Sequence, residues 1–370
     1  MLTASPPSEQ GQIRALIAVI ACPACRGSLD YSHAGDDFPE QVRHRLNDSI
    51  PASLYCEHCR RSFQVLSDGI PVLWSDVLKE SLLSGSAAFA AVARDKAAET
   101  DVKAANHFVY ERVIVEYEPK KIHADQATSQ RLANVLSGFN LHRPSRHLDV
   151  GCGPGNVLES TNPADFELKV GCDISVQALR MTKSKGYLVV LGDAERLPFV
   201  DGYFDLITGY SLLHHLFDPK RFMAESYRVL RDRGALVTDF DPNKHAANYG
   251  PLALGVYRSR RHMYRFIPGA MKQRFARDTN ELEQRNQLAE FHNAPGLGFD
   301  PEALRLDLTD IGFHVHHVYL HNKSETVIKP GRYSRPQLAN FVAQSLSFRN
   351  PFSRYYADAV LTASEKKTSS

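Results

Sequence analysis

The chain has 370 residues, enough for more than one domain, and 43% of them are hydrophobic, as in globular proteins. Its 44 lysine and arginine residues nearly balance 42 aspartate and glutamate residues, so overall charge favours neither nucleic acid nor a membrane surface. No apolar run approaches the length of a membrane span, and no long internal repeat is present.

Four of the six cysteines form two C-x-x-C motifs near the N-terminus, at Cys22, Cys25, Cys56 and Cys59. Two such pairs favour a soft tetrahedral metal, and four thiolates fit zinc. The 30 residues between the pairs exceed the usual gap of a zinc ribbon, so we expect a polar insertion at about 33–51, at the tip of a hairpin. We therefore predict a structural zinc ion on these four thiolates, in a domain that spans 1–80.

Three other interpretations of these cysteines are weaker. A pair of disulfides is possible, but thiols stay reduced in the cytosol, where we expect this protein. A catalytic redox pair needs one C-x-x-C motif, whereas this chain has two. The segment 19–22 follows a short apolar run and imitates a lipoprotein cleavage site, but few positively charged residues flank the run. In addition, Cys22 has a matching cysteine three residues later, as a metal site requires.

The sequences that flank the cysteines resemble the small zinc-ribbon proteins that activate tRNA and protein methyltransferases. The resemblance covers about 13–75, and it is carried by Ile20–Leu29 and by Asp68–Leu73, which reads Asp-Gly-Ile-Pro-Val-Leu. A similar module is fused to some bacterial rRNA and small-molecule methyltransferases. The resemblance implies that the domain either binds substrate or braces a catalytic domain, and we favour bracing.

The next segment, 81–115, is predicted to be a helical connector. Its alanine-rich part, 84–100, has high helix propensity but little apolar periodicity, which favours a position between domains or on the surface. Phe108 and Tyr110 lie just before the first catalytic helix. These rings either line a cofactor pocket or pack into the core, and we favour the core.

A glycine-rich turn follows a buried strand at His147–Asn156. Gly151, Gly153 and Gly155 occupy every second position, which lets the backbone approach a ligand closely. In a dinucleotide-binding turn, G-x-G-x-x-G, the third glycine falls one residue later. The spacing D-x-G-x-G-x-G, which begins at Asp149, resembles the first motif of class I S-adenosylmethionine (SAM) methyltransferases.

Further strands follow in the order of that family. Apolar runs that end at Asp173, Asp193 and Tyr210 predict the second to fourth strands, and 234–240 predicts the fifth. Strands that alternate with helical patterns imply an α/β fold with a doubly wound, mostly parallel sheet. The resemblance implies a Rossmann-like sheet of seven strands with the last one antiparallel, in a domain that spans 116–363.

The resemblance also implies the residues that bind SAM. An acid at the end of the second strand binds a ribose diol in nucleotide-binding sheets, and the acid after the third accepts from the adenine amino group. Each acid, taken singly, could instead be an ordinary residue at the end of a strand. The predicted SAM-binding residues are Asp149, Gly151, Gly153, Gly155, Asp173, Ile174, Asp193, Ala194 and Gly209. The family turn R-V-L-x-P-G-G corresponds to Arg228–Gly234, where Asp232 and Arg233 replace proline and glycine in a connector.

Catalytic residues are expected beyond the carboxyl ends of the fourth and fifth strands, because substrates of open α/β sheets lie there. The candidates are Tyr210, His214, His215 and Asp241. Either histidine is a candidate general base, because imidazole titrates near neutrality, and a base is needed only for a protonated acceptor. The segment Ser211–Pro219 resembles ubiquinone and menaquinone methyltransferases, in which a histidine here can be structural.

Two insertions are predicted to carry the specificity, at about 243–299 and 322–354. Within the first, 251–277 contains seven basic residues and no acidic one, interleaved with aromatic residues. This pattern indicates either a lid over an anionic substrate or the solvated face of an amphipathic helix. Alternation in the histidine-rich strand His314–His321 brings at most two histidines together, which favours a wet sheet edge over a second metal site.

The sequence therefore predicts a SAM-dependent methyltransferase that acts on an oxygen or nitrogen atom of a small molecule, such as a secondary metabolite or a quinone-like compound. No N/D-P-P-Y motif is present, which disfavours the exocyclic amines of bases and glutamine. The alternatives are an RNA methyltransferase that holds rRNA or tRNA with the ribbon and the basic insertion, and a non-catalytic SAM-binding activator. A cytosolic location is expected because SAM is a cytosolic cosubstrate, and cytosolic thiols stay reduced. The oligomeric state stays open.

Overall fold

The computed structural model describes residues 15–33, 52–84, 93–114, 125–264, 280–325 and 336–368. Its N-terminal part is a three-stranded antiparallel sheet of β1 (Asp30–His33), β2 (Ala52–Cys56) and β3 (Arg61–Val65), in that order. The predicted insertion at 33–51 connects β1 to β2 and, apart from His33, lies outside the described residues.

A short strand and two helices lead from this sheet to the catalytic domain: β4 (Val72–Leu73), α1 (Asp76–Ser84) and α2 (Glu99–Val113), with a 3-10 turn at Arg94–Lys96. The alanine-rich part of the connector is not a continuous helix where it is described, because Ala93, Ala97 and Ala98 are extended. Helix propensity without an apolar stripe gives no packing energy, and most helical stability comes from packing. Residues 85–92 of that segment lie outside the described residues.

The catalytic domain begins with a regular alternation of helices and strands. These elements are α3 (Gln126–Leu136), β5 (Ser145–Val150), α4 (Asn156–Ser160), β6 (Phe166–Asp173), α5 (Val176–Ser184), β7 (Leu188–Gly192), β8 (Phe204–Tyr210), α6 (Pro219–Val229) and β9 (Leu230–Pro242). The last third of the chain contributes α7 (Lys244–Ala247), α8 (Pro251–Tyr264), α9 (Asn280–Ala289), α10 (Pro301–Ile311), β10 (Phe313–His321), α11 (Leu338–Leu346) and β11 (Ala359–Lys366). Among the described residues, no helix is both long and apolar enough to cross a membrane.

The central sheet has the strand order β10-β11-β9-β8-β5-β6-β7-β4. Strands β5 to β9 pair in parallel, and β11 is antiparallel to both of its neighbours, β9 and β10. The predicted doubly wound sheet with an antiparallel last strand is therefore confirmed. Its core is continuous with that of the N-terminal domain, because Leu16, Val19 and Ile20 belong to the same buried cluster as Phe199 and Phe204.

An eighth strand, which the sequence did not predict in this position, comes from the segment that follows the N-terminal sheet. Strand β4 pairs in parallel with the edge strand β7, with Val72 opposite Leu191 and Leu73 opposite Gly192. Two side-chain contacts extend this junction: Arg26 to Glu225 at 3.0 Å and Arg180 to Asp68 at 2.8 Å. The two domains are thus joined through one sheet.

The fifth strand of the catalytic domain starts earlier than predicted, at Leu230 instead of Gly234. Leu230 pairs with Phe204 and Ala235 pairs with Leu206, so the extra residues form a bulge in place of a connector turn. Arg233 stands where the family has a glycine and adopts a φ of 65°. The left-handed conformation of the turn is retained although its glycine is not.

Candidate active site

The glycine-rich turn joins β5 to α4 and leaves its backbone open on one side. Gly151, Gly153 and Gly155 have φ values of 66°, 51° and 82°, which favour glycine over other residues. A Cβ atom on Gly153 would meet nothing within 4 Å, so this residue faces open space. A Cβ atom on Gly155 would lie 3.1 Å from Thr182, so Gly155 is required for packing against α5.

The open space beside Gly153 is a cavity of about 560 Å³, which we call the first cavity. Six of the nine residues predicted to bind SAM line it: Gly151, Gly153, Asp173, Ile174, Asp193 and Ala194. Asp149, Gly155 and Gly209 are not among its lining residues. A Cβ atom on Gly209 would lie 3.1 Å from both Leu212 and Phe222, which indicates a packing role.

Asp173 lies at the end of β6, beside the glycine-rich turn. Its Oδ2 accepts from the Gly153 amide and its Oδ1 from the Ser175 amide, both at 2.9 Å. Burial raises the pKa of Asp173 to about 6. This carboxylate holds the turn in place and also borders the first cavity.

Asp149 lies behind the turn. Its Oδ1 accepts from the Thr208 hydroxyl at 2.7 Å, and the same hydroxyl lies 2.7 Å from His147 Nε2. Burial raises the pKa of Asp149 to about 7, and its Oδ2 has no hydrogen-bond partner within the described parts of the chain. A buried carboxylate oxygen without a partner beside the turn fits a ligand that brings a donor or a positive charge.

Asp193, at the end of the third catalytic strand, is bound by residues that no motif predicted. Lys103 Nζ lies 2.5 Å from Asp193 Oδ1 and 2.6 Å from Glu195 Oε2. Ser75 donates to Asp193 Oδ2 at 2.6 Å. Burial would lower the pKa of Lys103, but the two carboxylates outweigh burial and raise it. Lys103 therefore stays charged within the wall of the first cavity.

A second cavity of about 460 Å³ adjoins the first. The two cavities share five lining residues: Tyr110, Ser211, His215, Phe240 and Lys323. Both predicted insertions contribute to the second cavity, the first through residues such as Asn243 and Glu290, and the second through Gln337 and Asn340. Residues 265–277, the second half of the basic segment 251–277, lie outside the described residues.

Tyr110 lies at the junction of the cavities and also packs against the buried cluster that contains Val109 and Leu288, so both expected environments are present at this ring. Its hydroxyl lies 2.9 Å from His215 Nε2. Phe108 points elsewhere, between the guanidinium groups of Arg112 and Arg285, at 3.8 and 3.9 Å from the ring centre. Two residues apart on a helix, the two rings point in different directions and have different surroundings.

The two predicted catalytic histidines form a 3-10 turn after β8. His215 Nδ1 lies 2.7 Å from the Ala289 carbonyl oxygen, which only accepts, so this nitrogen carries the proton. His214 Nδ1 lies 2.8 Å from Asp241 Oδ1, which also accepts from the His214 backbone amide. Burial lowers the pKa of each histidine to about 4, so both are neutral at pH 7.

The other two predicted catalytic residues are placed differently. Tyr210 lines only the first cavity, and its hydroxyl has no partner among the described residues. Burial raises the pKa of Tyr210 well above its usual value, so the phenol stays protonated. Asp241 touches neither cavity and contacts His214 instead, which makes it a positioning residue for that imidazole.

The histidine-rich strand β10 is only partly a wet edge. A register shift between Val315 and His317 interrupts the alternation, and the rings of His314 and His316 lie 4.7 Å apart. His321 is fully buried, contrary to expectation, because its Nε2 lies 2.6 Å from Asp239 Oδ1. Arg131 Nε binds the other oxygen of Asp239 at 2.7 Å. No metal-type cluster arises on this strand within the described residues.

The four N-terminal cysteines come together as predicted. Cys22 Sγ lies 3.5 Å from Cys59 Sγ, and Cys25 Sγ lies 3.5 Å from Cys56 Sγ, with no disulfide between them. All four sulfur atoms lie within 4.8 Å of one another. A Cβ atom on Gly27 would lie 3.2 Å from Cys56 Sγ, so a glycine is needed beside the cluster. This arrangement fits a tetrahedral ion on four thiolates, as in zinc ribbons.

Comparison with known families identifies both parts of the chain. A family described as "Methyltransferase domain" matches 148–238, and one described as "Trm112p-like protein" matches 14–65. A tRNA (carboxymethyluridine(34)-5-O)-methyltransferase of Arabidopsis thaliana is 36% identical over 90 residues, 24% of this chain and 22% of that protein. A phthiotriol/phenolphthiotriol dimycocerosates methyltransferase of Mycobacterium ulcerans is 31% identical over 141 residues, 36% of this chain and 49% of that protein.

Among solved structures, a complex of the Haloferax volcanii Trm112 methyltransferase activator with a methyltransferase is 13% identical, with a TM-score of 0.44. It covers 70% of this chain and 98% of that chain, a likeness too weak to carry an argument about partners. The chain spans about half or less of the curated relatives it matches. The chain thus carries a methyltransferase domain of the SAM-dependent class behind an N-terminal Trm112-like zinc-ribbon domain.

Proposed function

We propose that the protein transfers a methyl group from SAM to an oxygen or nitrogen atom of a small molecule bound in the second cavity. The observation that carries this proposal is the junction of the two cavities. Methyl transfer requires the donor and the acceptor to meet in line and away from water, and the shared walls of two adjacent cavities supply such a place. When bound, SAM supplies a methyl group on a sulfonium that is its own leaving group.

The first cavity fits SAM in its chemistry. The open backbone at Gly151 and Gly153 admits a ligand at van der Waals distance, and Asp173 offers carboxylate oxygens for a diol. Asp193 borders the cavity, but Lys103 and Ser75 occupy its oxygens, so its role includes fixing the wall. Asp149, Gly155 and Gly209 act from behind the cavity wall.

The second cavity has the size and the lining expected for a polar metabolite. Its volume of about 460 Å³ lies within the range of small-molecule sites. Polar side chains from both insertions line it, namely Asn243, Tyr249, Glu290, Asn293 and Asn340, together with Asp358. His214 and His215 line the same cavity and are neutral at pH 7, so they are the groups that act on the acceptor.

The relatives' names support two classes of acceptor. One acts on tRNA and another is named for a lipid-like substrate, and the chain covers only part of each. We favour the small molecule because the described acceptor cavity is formed by inward-facing polar groups. In the RNA alternative, the ribbon and the basic insertion hold the phosphate backbone.

Turnover of SAM to S-adenosylhomocysteine by the purified full chain tests this proposal, with small-molecule extracts and total RNA offered as separate acceptors. We expect turnover with small-molecule fractions and binding of RNA that is weak and insensitive to salt. Methylated RNA together with steeply salt-dependent binding would instead favour the RNA enzyme. SAM binding without turnover on any fraction, and with stimulation of another methyltransferase, would favour the activator.

A further inference from the structure

We propose that His214, His215 and Glu290 form a binding site for a divalent transition-metal ion in the wall of the second cavity. The catalytic role of this ion rests on the proposed function, because the ion would bind the oxygen atom that accepts the methyl group. It is separate from the four-cysteine cluster of the N-terminal domain and uses nitrogen and oxygen ligands instead of sulfur.

The three side chains converge from two distant parts of the chain. One ligand atom from each lies within 4.8 Å of the other two, and the two imidazole ring centres are 3.9 Å apart. The histidines follow β8, whereas Glu290 directly follows α9 of the first insertion. Two imidazoles and one carboxylate form a ligand set used by zinc and other first-row metals, with positions left open for water or substrate.

The outer contacts of both histidines favour metal binding. The Ala289 carbonyl oxygen fixes Nδ1 of His215, and the Asp241 carboxylate fixes Nδ1 of His214. Metal-binding histidines usually donate their second ring N–H to such an acceptor, which fixes the tautomer and orients the ring. Both rings therefore have Nε2 as the nitrogen with a lone pair.

One contact in the cluster favours a cation, in addition to the hydrogen bond that Asn293 Nδ2 donates to Glu290 Oε2 at 2.6 Å. Nε2 of His214 lies 3.5 Å from Glu290 Oε2, and with Nδ1 as the donor both of these atoms are acceptors. Asp241 lies behind the ring, and its buried Oδ2 has no partner in the described chain. A metal ion between His214 and Glu290 would be coordinated by both acceptor atoms, which removes this repulsion.

A general base alone explains less of this arrangement. One imidazole with one carboxylate behind it suffices to accept a proton, whereas here a second neutral imidazole and a second carboxylate face the same point. Tyr110 donates to His215 Nε2, so binding at that nitrogen exchanges a hydroxyl hydrogen bond for a coordinate bond. The cluster is therefore better explained by a metal than by proton transfer.

The site selects an acceptor with a hydroxyl that can ligate the ion. Coordination lowers the pKa of that hydroxyl, and its proton passes to solvent. The oxygen lone pair then forms the bond to the methyl carbon, while the carbon–sulfur bond breaks and its electron pair stays on sulfur. The products are a methyl ether and S-adenosylhomocysteine.

The test is a titration of the zinc-loaded full chain with Co²⁺, followed by visible absorption. Because zinc occupies the four-cysteine cluster, added Co²⁺ binds at the histidine–glutamate site. Its visible absorption bands then lack thiolate-to-cobalt charge transfer. We expect one Co²⁺ per chain in the wild type. We expect Glu290→Gln and His214→Ala each to weaken binding by about tenfold or more, and Asp241→Asn to weaken it by about tenfold through the ring orientation.

His316→Ala is the matched control, because it removes an imidazole next to another histidine on β10 and should leave cobalt binding unchanged. Melting curves and SAM affinity are measured for every variant, so loss of folding is separated from loss of the site. No cobalt beyond the thiolate cluster, or equal binding by Glu290→Gln, overturns the metal site. In that event normal SAM turnover, insensitive to chelators, would leave the proposed methyl transfer standing.

Discussion

Ser75 of the N-terminal domain donates a hydrogen bond to Asp193 of the catalytic domain, with 2.6 Å between Ser75 Oγ and Asp193 Oδ2. Both residues are almost fully buried, at 2% exposure each. Asp193 also borders the first cavity. The segment that follows the N-terminal sheet therefore reaches the wall of the first cavity through the Ser75 side chain as well as pairing with β7 through β4.

Replacing Ser75 by alanine should weaken SAM binding. The substitution leaves a buried carboxylate oxygen without its partner, which costs about 1–3 kcal/mol. We expect a lower melting temperature and a several-fold loss of SAM affinity by calorimetry. Ser81→Ala is the control, since Ser81 is buried in α1 but bonds to the Val77 carbonyl oxygen. Equal effects of the two substitutions would contradict a specific role for the Ser75–Asp193 contact.

Lys103→Met should be among the most damaging single substitutions. It leaves Asp193 and Glu195 buried without their shared cation, and breaking a buried ion pair in this way costs about 3–5 kcal/mol. Urea unfolding of the variant should show this loss, together with loss of SAM binding. Lys220→Met is the control, because it breaks a pair with Asp307 on the exposed side of α6 and should leave the free energy of unfolding nearly unchanged.

Asp149→Asn should change the pH dependence of stability. Burial raises the folded-state pKa of Asp149 to about 7, from an ordinary value of 3.8. Between these values the folded state binds more protons than the unfolded state, so this group makes the wild type less stable as pH rises. The asparagine variant lacks this effect. Its free energy of unfolding should therefore rise relative to that of the wild type between about pH 4 and pH 7.

Urea unfolding at pH 5 and pH 8 measures the effect. The stability difference between variant and wild type should be larger at pH 8, where the buried carboxylate is ionised. The variant should bind SAM more weakly, since the unpartnered oxygen of Asp149 is no longer a carboxylate. A difference that is constant across this range would show that Asp149 titrates normally.

Cys56→Ser should remove the ion from the N-terminal domain and reduce soluble yield. Three thiolates bind zinc less tightly than four, and small zinc domains depend on the ion for folding. Elemental analysis should then find one zinc ion fewer per chain than in the wild type. Cys152→Ser, which alters a buried cysteine of the glycine-rich turn, should retain that ion. An iron–sulfur chromophore in the wild type would exclude the zinc assignment.

Short sequence motifs predicted part of the site. The glycine spacing, the strand-end acids and the paired cysteines each lie within a few residues, so a short motif contains them. Lys103, Ser75 and Glu290 could not be found in this way. They lie 76 or more residues along the chain from the site residues that they contact, and only tertiary packing brings them there.

The alternation rule also failed where tertiary contacts override it. Alternation predicts an exposed edge for His321. The residue is buried because it contacts Asp239, which is also paired with Arg131. Strand β9 begins before the predicted position because Arg233 adopts a glycine-like conformation and the strand continues through a bulge. In both places a long-range pairing decided the local structure.

The pairing of β4 with β7 has a consequence for how the chain can be divided. A fragment that begins at 81, the predicted domain boundary, would lose β4 and expose the backbone groups of Leu191 and Gly192 along an open strand edge. Such edges promote aggregation by pairing with other chains. We therefore expect a fragment of the catalytic domain alone to be insoluble unless the missing strand is supplied in trans.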